Sequence, residues 1–233
     1  MKIIVCIKQV PDTTEVKLDP KTGRLIRDGV PSIINPDDKN ALEEALRIKD
    51  ENPDTTVTVV SMGPPQADVA MREALAMGAD EAILISGREF GGSDTWATSY
   101  IIATAIKKIP DYDIIFCGRQ AIDGDTAQVG PQIAEQLNIP QITYVQKLDI
   151  EGDKVIVQRQ LEDGYTVVEA KMPVLLTAIK ELNTPRYMTP KGIFEAYNKT
   201  VQVWGFNDVP VDAEKIGLKG SPTNVNRTFS PEA

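Results

Sequence analysis

The sequence contains no histidine among its 233 residues. Without imidazole, the chain cannot form a serine–histidine triad or use a histidine as general base, and nearly all zinc sites that depend on imidazole are excluded. Basic residues are few as well, because 25 Lys and Arg stand against 34 Asp and Glu and the net charge is −9. This balance argues against sequence-independent binding to DNA or RNA, which needs clustered Lys and Arg. We therefore assign no catalytic or metal-binding residue and expect any chemistry to be carried by a cofactor.

Long apolar runs are missing too. No run reaches the roughly 18 residues of a membrane-spanning helix, and the N-terminal stretch MKIIVCIKQVPD is too short and becomes polar too soon for a signal peptide. The two cysteines, Cys6 and Cys117, each lie within an apolar run, which favours buried thiols over a disulfide. We expect a cytoplasmic protein whose hydrophobic residues, 42% of the chain, fill one sizeable core or two modest ones.

Strand-like and helix-like segments alternate over the first 138 residues. The strand candidates are short and rich in Val and Ile, and read KIIVCIK, TTVTVVSM, EAILIS and DIIFCG. Between them lie PDDKNALEEALRIKDE, PQADVAMREALAMG and SDTWATSYIIATAIKKI, which have helical spacing or helix end signals, the last with Ser93 or Asp94 as N-cap. This alternation predicts an α/β fold with a Rossmann-like, doubly wound and mainly parallel sheet.

Three segments depart from that pattern. Residues 16 to 27 predict a β-hairpin. After residue 140 no further helix is expected, and the strand-like runs ITYVQKLDI, DKVIVQRQL and YTVVEAKMP predict an antiparallel meander at the sheet edge. From about residue 183 the chain reads as an irregular, extended C-terminal arm with isolated Trp204 and Phe206. We therefore predict an α/β domain over 1–182 and an arm over 183–233 that contacts a partner.

Four segments are expected to meet at one edge of the sheet, because ligands of an open parallel sheet bind beyond the carboxyl ends of its strands. They are residues 6–14, 35–38, 62–66 and 118–129. For the first three, ordinary turns that cap helices are an equal alternative. A further loop, FGGSDTWATS, resembles the phosphate loop of ATP pyrophosphatases, but a helix N-cap is the favoured interpretation because it follows the third strand and lacks the flanking serines.

The fourth segment, with the helix that follows it, carries the strongest signal for a ligand. Gly118, Gly124 and Gly130 would let the backbone approach a ligand and adopt positive φ. A helix that starts at Asp125 or Thr126 would present free N–H groups to an anion, although Gly130-Pro131 also fits a helix start.

Two acids in this segment need an explanation if the ligand is an anion. Asp123 and Asp125 can hold the loop by accepting backbone N–H bonds, or can accept a ribose hydroxyl. The alternative is that both are solvated turn acids.

Several collinear stretches together carry a family resemblance. The stretches VCIKQVPDT, INPDDKNALEEALRIKD, VSMGPPQADVAMREALAMGADEAILIS, CGRQAIDGDTAQVGPQIAE and LNTPRYMTP resemble the β (small) subunit of electron transfer flavoproteins over roughly residues 1 to 195. The 118–129 stretch is the most specific of them.

The resemblance implies an αβ heterodimer whose α subunit carries an FAD and whose β subunit binds an adenine nucleotide. The implied nucleotide-binding residues are Cys6, Asn35, Pro36, Asp37, Asp38, Met62, Gly118, Arg119, Gln120, Ala121, Ile122, Asp123, Gly124, Asp125, Thr126, Ala127, Gln128 and Val129. The implied recognition loop for a partner dehydrogenase is Leu182, Asn183, Thr184, Pro185, Arg186 and Tyr187, with Leu182 as its apolar plug. A strand-end leucine that packs on the core is the alternative for that residue.

The family divides by the ligand of this site. Ordinary members hold AMP as a structural piece, whereas electron-bifurcating members from anaerobes hold a second FAD, which accepts hydride from NADH and sends its electrons separately to ferredoxin and to the α-subunit FAD. This sequence is similar to the second group, since glycine at position 124 replaces a further acid and leaves room beside a diphosphate. The resemblance thus implies an NADH-oxidising, ferredoxin-reducing flavoprotein complex, with a redox-inert AMP-binding subunit as the alternative. The dehydrogenase partner, of acyl-CoA, caffeyl-CoA or lactate type, is left open.

Overall fold

The computed structural model describes residues 1–12 and 31–226. Its strands are β1 (Lys2–Cys6), β2 (Gln9–Pro11), β3 (Ser32–Ile34), β4 (Thr56–Met62), β5 (Glu81–Ile85), β6 (Ile114–Gly118), β7 (Gln141–Glu151), β8 (Lys154–Gln160), β9 (Tyr165–Lys171), β10 (Val174–Ala178) and β11 (Val201–Trp204). Its α-helices are α1 (Pro36–Glu51), α2 (Asp68–Met77), α3 (Thr95–Ile106), α4 (Val129–Leu137), α5 (Pro190–Asn198) and α6 (Gly217–Gly220).

Nine of the described strands form one sheet in the order β11-β5-β4-β1-β6-β10-β7-β8-β9. Pairing is parallel from β11 to β7 and antiparallel in the meander of β7, β8 and β9. The short strands β2 and β3 form a separate antiparallel pair. The predicted fold class, a doubly wound and mainly parallel sheet with an antiparallel edge, is confirmed.

Apolar side chains cover both faces of the central strands, which is why these strands read as continuous apolar runs. On one face, Leu42 of α1 and Met71 of α2 belong to a core cluster with Val5. On the other face, Ile101 of α3 and Ile133 of α4 belong to a second cluster. The chain thus builds two modest cores, one on each side of a single sheet.

Strand β10 is an element that the sequence analysis did not predict. Its five residues are all buried, and it lies between β6 and β7, parallel to both. The run VLLTA indicates burial on both faces. It follows the meander directly, however, without the helix that usually connects a strand to a parallel neighbour. Its central place in the sheet is set by contacts that are distant along the chain.

The C-terminal segment is less irregular than predicted. Helix α5 packs against α2, and β11 extends the sheet by pairing in parallel with β5. The expectation that no helix follows residue 140 was therefore wrong for residues 190–198, and the arm that was predicted to be irregular contains a helix and a strand over residues 190–204. The reason is that each element is short and buries few side chains, such as Ala196 and Val201, so its sequence pattern is weak.

Two further expectations concern the predicted hairpin and membrane-spanning helices. The hairpin predicted at residues 16–27 lies outside the described residues. Within the described residues, no helix is both long and apolar enough to cross a membrane.

Candidate functional site

A cavity of about 380 Å³ lies at the carboxyl ends of β1, β4 and β6. We call it the first cavity. Of the predicted nucleotide-binding residues, those that line it are Cys6, Asp38, Met62, residues 118–121 and residues 124–129. The four predicted segments therefore meet at one continuous space. Residues 6–8, Asp38, Met62 and most of residues 118–129 line it.

Asp38 joins the ends of two strands beneath this cavity. Its Oδ2 accepts the N–H of Lys8 at 2.7 Å, and its Oδ1 accepts the N–H of Gly118 at 2.9 Å. Burial raises the pKa of the Asp38 carboxyl to about 7, although hydrogen bonds to its oxygens oppose that shift. A Cβ on residue 118 would lie 2.2 Å from Asp38 Oδ1, so glycine is required there by this close approach.

Asn35 ties the loop after β6 to the start of α1. Its side-chain amide donates to the carbonyl of Gln120 at 2.8 Å, and its Oδ1 accepts the N–H of Ile122 at 3.0 Å. Asp37 forms an ion pair with Arg119 at 3.3 Å, and burial raises the pKa of Asp37. Pro36 occupies the first turn of α1, where its missing N–H costs no hydrogen bond. Asn35, Pro36, Asp37 and Ile122 thus support the loop from outside the cavity lining.

The two acids of the loop hold it through side-chain donors. Asp123 accepts from the ammonium group of Lys8 at 2.6 Å, and its side chain is only 11% exposed. Asp125 accepts from the side-chain amide of Gln120, and its own N–H donates to the carbonyl of Ala121 at 2.8 Å. Within the described residues, both acids therefore hold the loop through side-chain donors and not through the predicted backbone N–H groups. Asp123 is not a solvated turn acid, whereas Asp125 is exposed.

The backbone of the loop differs from the prediction in where positive φ occurs. Asp125 has φ 54° and Ala127 has φ 51°, whereas none of the three glycines is in the left-handed region. Gly130 instead lets α4 approach β10, since a Cβ there would lie 2.9 Å from Thr177 Cγ2. Gly124 has open space around its Cα, with no atom within 4 Å of a built Cβ.

Helix α4 begins at Val129, after Gln128, so neither Asp125 nor Thr126 caps it. Gly130 and Pro131 are the second and third residues of α4, so the alternative start at Gly130-Pro131 is one to two residues late. The predicted boundary was wrong because the two positive-φ residues extend the loop by a few residues. Residues 124–130 still line the cavity, so the N-terminal end of α4 faces it.

The start of α3 is a part of the cavity that the sequence analysis set aside. Ser93, Asp94, Thr95, Thr98 and Ile102 line the first cavity. Asp94 caps α3, as predicted, by accepting the N–H of Ala97 at 2.9 Å. The signal was available, because this loop follows a parallel strand at the same edge of the sheet. It was interpreted only as a cap.

A second cavity of about 1080 Å³ adjoins the first. The two share Lys8, Met62 and Ser93 as lining residues, and we call this shared boundary the junction. The second cavity is further lined by residues 9–11, 63–67, 85–88 and 90–92, with Ser32 and Val203. Among its described lining residues are two cations, Lys8 and Arg88, and no carboxylate.

The predicted recognition loop is arranged differently from the expectation. Leu182 is 8% exposed and belongs to the core, as the alternative interpretation had it. Arg186 binds Glu43 at 2.8 Å and Asp50 at 2.7 Å, which fastens the loop to α1. Tyr187 is 95% exposed, so the protruding apolar side chain of this loop is the tyrosine.

Asn183 adds a second attachment of this loop to α1. Its side-chain amide donates to the carbonyl of Asn40 at 3.0 Å and to Glu44 at 2.8 Å. Thr184 and Pro185 connect Asn183 to Arg186 without a regular element of secondary structure. The loop is therefore attached to α1 at Asn183 and at Arg186, and Tyr187 projects from the surface.

Comparison with known proteins shows the family of this chain. The electron transfer flavoprotein domain matches residues 22–209. The chain belongs to the electron transfer flavoprotein family, as a β-subunit member. It is 66% identical to the electron transfer flavoprotein subunit beta of Thermoanaerobacterium thermosaccharolyticum, over 99% of this chain and 88% of that protein.

Two further relatives are named for the complexes to which they belong. The chain is 60% identical to the caffeyl-CoA reductase-Etf complex subunit CarD of Acetobacterium woodii, over 100% of this chain and 89% of that protein. It is 54% identical to the acryloyl-CoA reductase electron transfer subunit gamma of Anaerotignum propionicum, over 99% and 89%. Electron transfer flavoproteins bind flavin or AMP, and their β subunits pair with an α subunit and with reductase partners.

Proposed function

We propose that this chain holds FAD at the carboxyl edge of its sheet and takes part in electron bifurcation. In this role, electrons from NADH pass to ferredoxin and, through the FAD of the α subunit, to a partner dehydrogenase or reductase. The names of the two relatives that belong to a caffeyl-CoA reductase complex and to an acryloyl-CoA reductase support a flavin-dependent reductase as that partner. The alternative is a subunit that holds AMP as a structural piece.

The observation that carries this proposal is the pair of adjoining cavities. FAD consists of an AMP unit joined through a second phosphate to a flavin unit. The first cavity encloses about 380 Å³ and the second about 1080 Å³. AMP accounts for the first alone, whereas a dinucleotide can extend through the junction into the second. Gly124 lines the first cavity, and the position that a Cβ would take there has no contact within 4 Å, which leaves that part of the cavity wall open.

The residues present fit such a ligand. The N-terminal end of α4 faces the first cavity, where a helix dipole favours an anion. The side chains of Thr126 and Gln128 line the same place and can donate hydrogen bonds to a phosphate. Met62 and Ile102 supply apolar wall against which a base can pack. When bound, FAD would supply both two-electron and one-electron chemistry, which no side chain of this protein can supply.

The proposal predicts the cofactor content of the purified heterodimer. This chain is co-expressed with its α subunit, the complex is denatured, and the released nucleotides are quantified by chromatography. We expect two FAD and no AMP per heterodimer, because the second cavity accommodates the flavin half. One FAD and one AMP, with an AMP that added FAD cannot displace, would favour the structural-AMP alternative instead.

Electron transfer to the partner is proposed to use the loop of residues 182–187 and the surface beside it. Phe194 and Tyr197 of α5 are also exposed, and aromatic side chains are typical of the centres of interfaces.

The C-terminal segment from 183 onward is proposed to contact the α subunit. Because β11 lies within this segment and pairs with β5, a truncation at residue 200 would also remove an edge strand.

We expect Tyr187→Ala to weaken electron delivery to the dehydrogenase without loss of stability. Tyr187 is 95% exposed, and changes at such surface positions alter the free energy of unfolding by about 0.5 kcal/mol or less. Leu182→Ala is the matched comparison, since loss of a buried leucine costs about 2–5 kcal/mol. The measurements are urea unfolding and steady-state transfer at limiting dehydrogenase. Unchanged transfer in Tyr187→Ala would contradict the assignment.

A further inference from the structure

We propose that Lys8 recognises the second phosphate of the bound nucleotide and thereby selects a diphosphate over a monophosphate. This inference rests on the proposed function, because it takes the first cavity to be the site of an adenine nucleotide. It concerns the phosphates alone and does not depend on a flavin. Its evidence is the position of Lys8, the partner of its ammonium group and the charge distribution around the two cavities.

Lys8 lies at the junction and its backbone is fixed there. Its N–H donates to Asp38 at 2.7 Å, and its carbonyl accepts the N–H of Asn35 at 2.9 Å. It is the only cation among the described residues that lines both cavities. A ligand that passes from one cavity to the other must therefore run beside this side chain.

Asp123 holds the ammonium group of Lys8 in place. The two side chains are 2.6 Å apart, and Asp123 is 11% exposed whereas Lys8 is 46% exposed. An ammonium group has three N–H donors, and among the described residues only Asp123 accepts one of them. Two donors are thus available to a ligand oxygen, and because the side chain is already oriented, binding costs less conformational entropy.

The other cation of the first cavity differs from Lys8 in where it lies. Arg119, the second described cation of that cavity, is paired with Asp37 at 3.3 Å and does not line the second cavity. The carboxylates at the first cavity are engaged by donors, as Asp94 is by Ala97 and Thr223. In the second cavity, the described lining has Lys8 and Arg88 and no carboxylate. Among the described residues, an anionic group that leaves the first cavity therefore meets two cations and no carboxylate.

This arrangement separates two classes of ligand. The first phosphate lies at the N-terminal end of α4 in either class, so it does not discriminate between them. A second phosphate extends to the junction, where Lys8 can donate a charge-assisted hydrogen bond. A mononucleotide makes no such contact. Lys8 is therefore a specificity-determining residue for the number of phosphates.

The test compares AMP with ADP, which differ only by the second phosphate. The αβ heterodimer is stripped of the nucleotide bound to this chain and titrated with each by calorimetry. We expect the wild-type complex to bind ADP about tenfold or more tightly than AMP, the effect of one hydrogen bond to a charged group. Lys8→Met should abolish this preference and change AMP affinity by less than about threefold, whereas Lys8→Arg should retain the preference.

The control variant is Lys39→Met. Lys39 pairs with Glu73 and lines neither cavity. The Lys39→Met variant therefore removes one positive charge away from the junction, and its complex should keep the preference for ADP over AMP. Circular dichroism of each complex checks that the variants are folded, and Lys8→Gln provides a second neutral variant.

Each outcome decides the inference, and the failure of the proposed function is separately visible. If the wild-type complex shows no preference for ADP, or Lys8→Met keeps it, the inference is overturned. If the preference depends on Lys8 but the purified heterodimer carries AMP in place of a second FAD, the inference stands and the proposed function fails. If neither AMP nor ADP binds to the stripped complex, the inference is overturned, and the FAD content of the purified heterodimer alone decides the proposed function.

Discussion

Replacing Gly118 with alanine is expected to lower the free energy of unfolding by at least about 3 kcal/mol, the upper range for overpacking of a core. The added Cβ would lie 2.2 Å from Asp38 Oδ1, 2.7 Å from the Asp38 nitrogen and 2.8 Å from the Asp37 carbonyl carbon. Two of these atoms belong to the backbone of α1 and cannot move aside alone. The helix start and the end of β6 would therefore separate, and the hydrogen bond from Gly118 to Asp38 would break.

The matched control lies in the same loop. A Cβ on Gly124 meets nothing within 4 Å, so Gly124→Ala is expected to change stability by less than about 1 kcal/mol. Urea unfolding followed by tryptophan fluorescence measures both variants. Equal stabilities of the two variants would show that Gly118 is not held against α1.

Asp38→Asn is expected to remove a pH dependence of stability. Burial raises the pKa of Asp38 to about 7 in the folded protein, against about 3.9 for an unfolded chain. Between these values the folded state binds a proton that the unfolded state has released, so the free energy of unfolding falls as pH rises, by up to about 1.4 kcal/mol per unit. Above about pH 7 the carboxyl is deprotonated in both states, so it no longer makes the free energy of unfolding depend on pH.

From pH 5 to pH 8, the wild type should thus lose up to about 3 kcal/mol relative to Asp38→Asn. At pH 5 the variant itself is expected to be less stable by about 1–3 kcal/mol, because its amide group cannot accept from both Lys8 and Gly118. The measurement is urea unfolding at several pH values.

Asp94→Asn is the control for this experiment. Hydrogen bonds from Ala97 and Thr223 lower the pKa of Asp94, despite its partial burial. Its contribution to stability is therefore lost only at acid pH, as the pH falls through that lowered value, and its difference from wild type should be constant from pH 5 to 8. A constant difference for Asp38→Asn as well would show that Asp38 does not titrate in this range.

Much of the first half of the fold can be predicted from sequence because its signals are local. Strands β1, β4, β5 and β6 are apolar runs of strand length, and α1 to α3 carry helical spacing or end signals such as the Asp94 cap. The place of the site follows from the same pattern, since parallel strands end at one edge. Strands β10 and β11 could not be placed in this way, because their positions depend on pairing with β6 and β5.

The details of the site depend on contacts that the sequence does not record. The bond from Gly118 to Asp38 spans 80 positions, and that from Lys8 to Asp123 spans 115. Local pattern could identify Asp123 as a turn acid but not its cation. The positive φ of Asp125 and Ala127 is equally hidden, since a positive φ is expected at glycine and neither residue is one.

The sequence by itself determined the parallel sheet and the edge at which its loops meet, because residue type and periodicity act over neighbouring positions. It determined the family through the collinear stretches that resemble electron transfer flavoprotein β subunits. Only the tertiary structure decided that Leu182 packs in the core while Tyr187 projects from the surface, and that two cavities meet at Lys8. An apolar side chain is buried or exposed according to the elements around it, and a cavity is the space that distant segments leave between them. Neither is a property of a local stretch of chain.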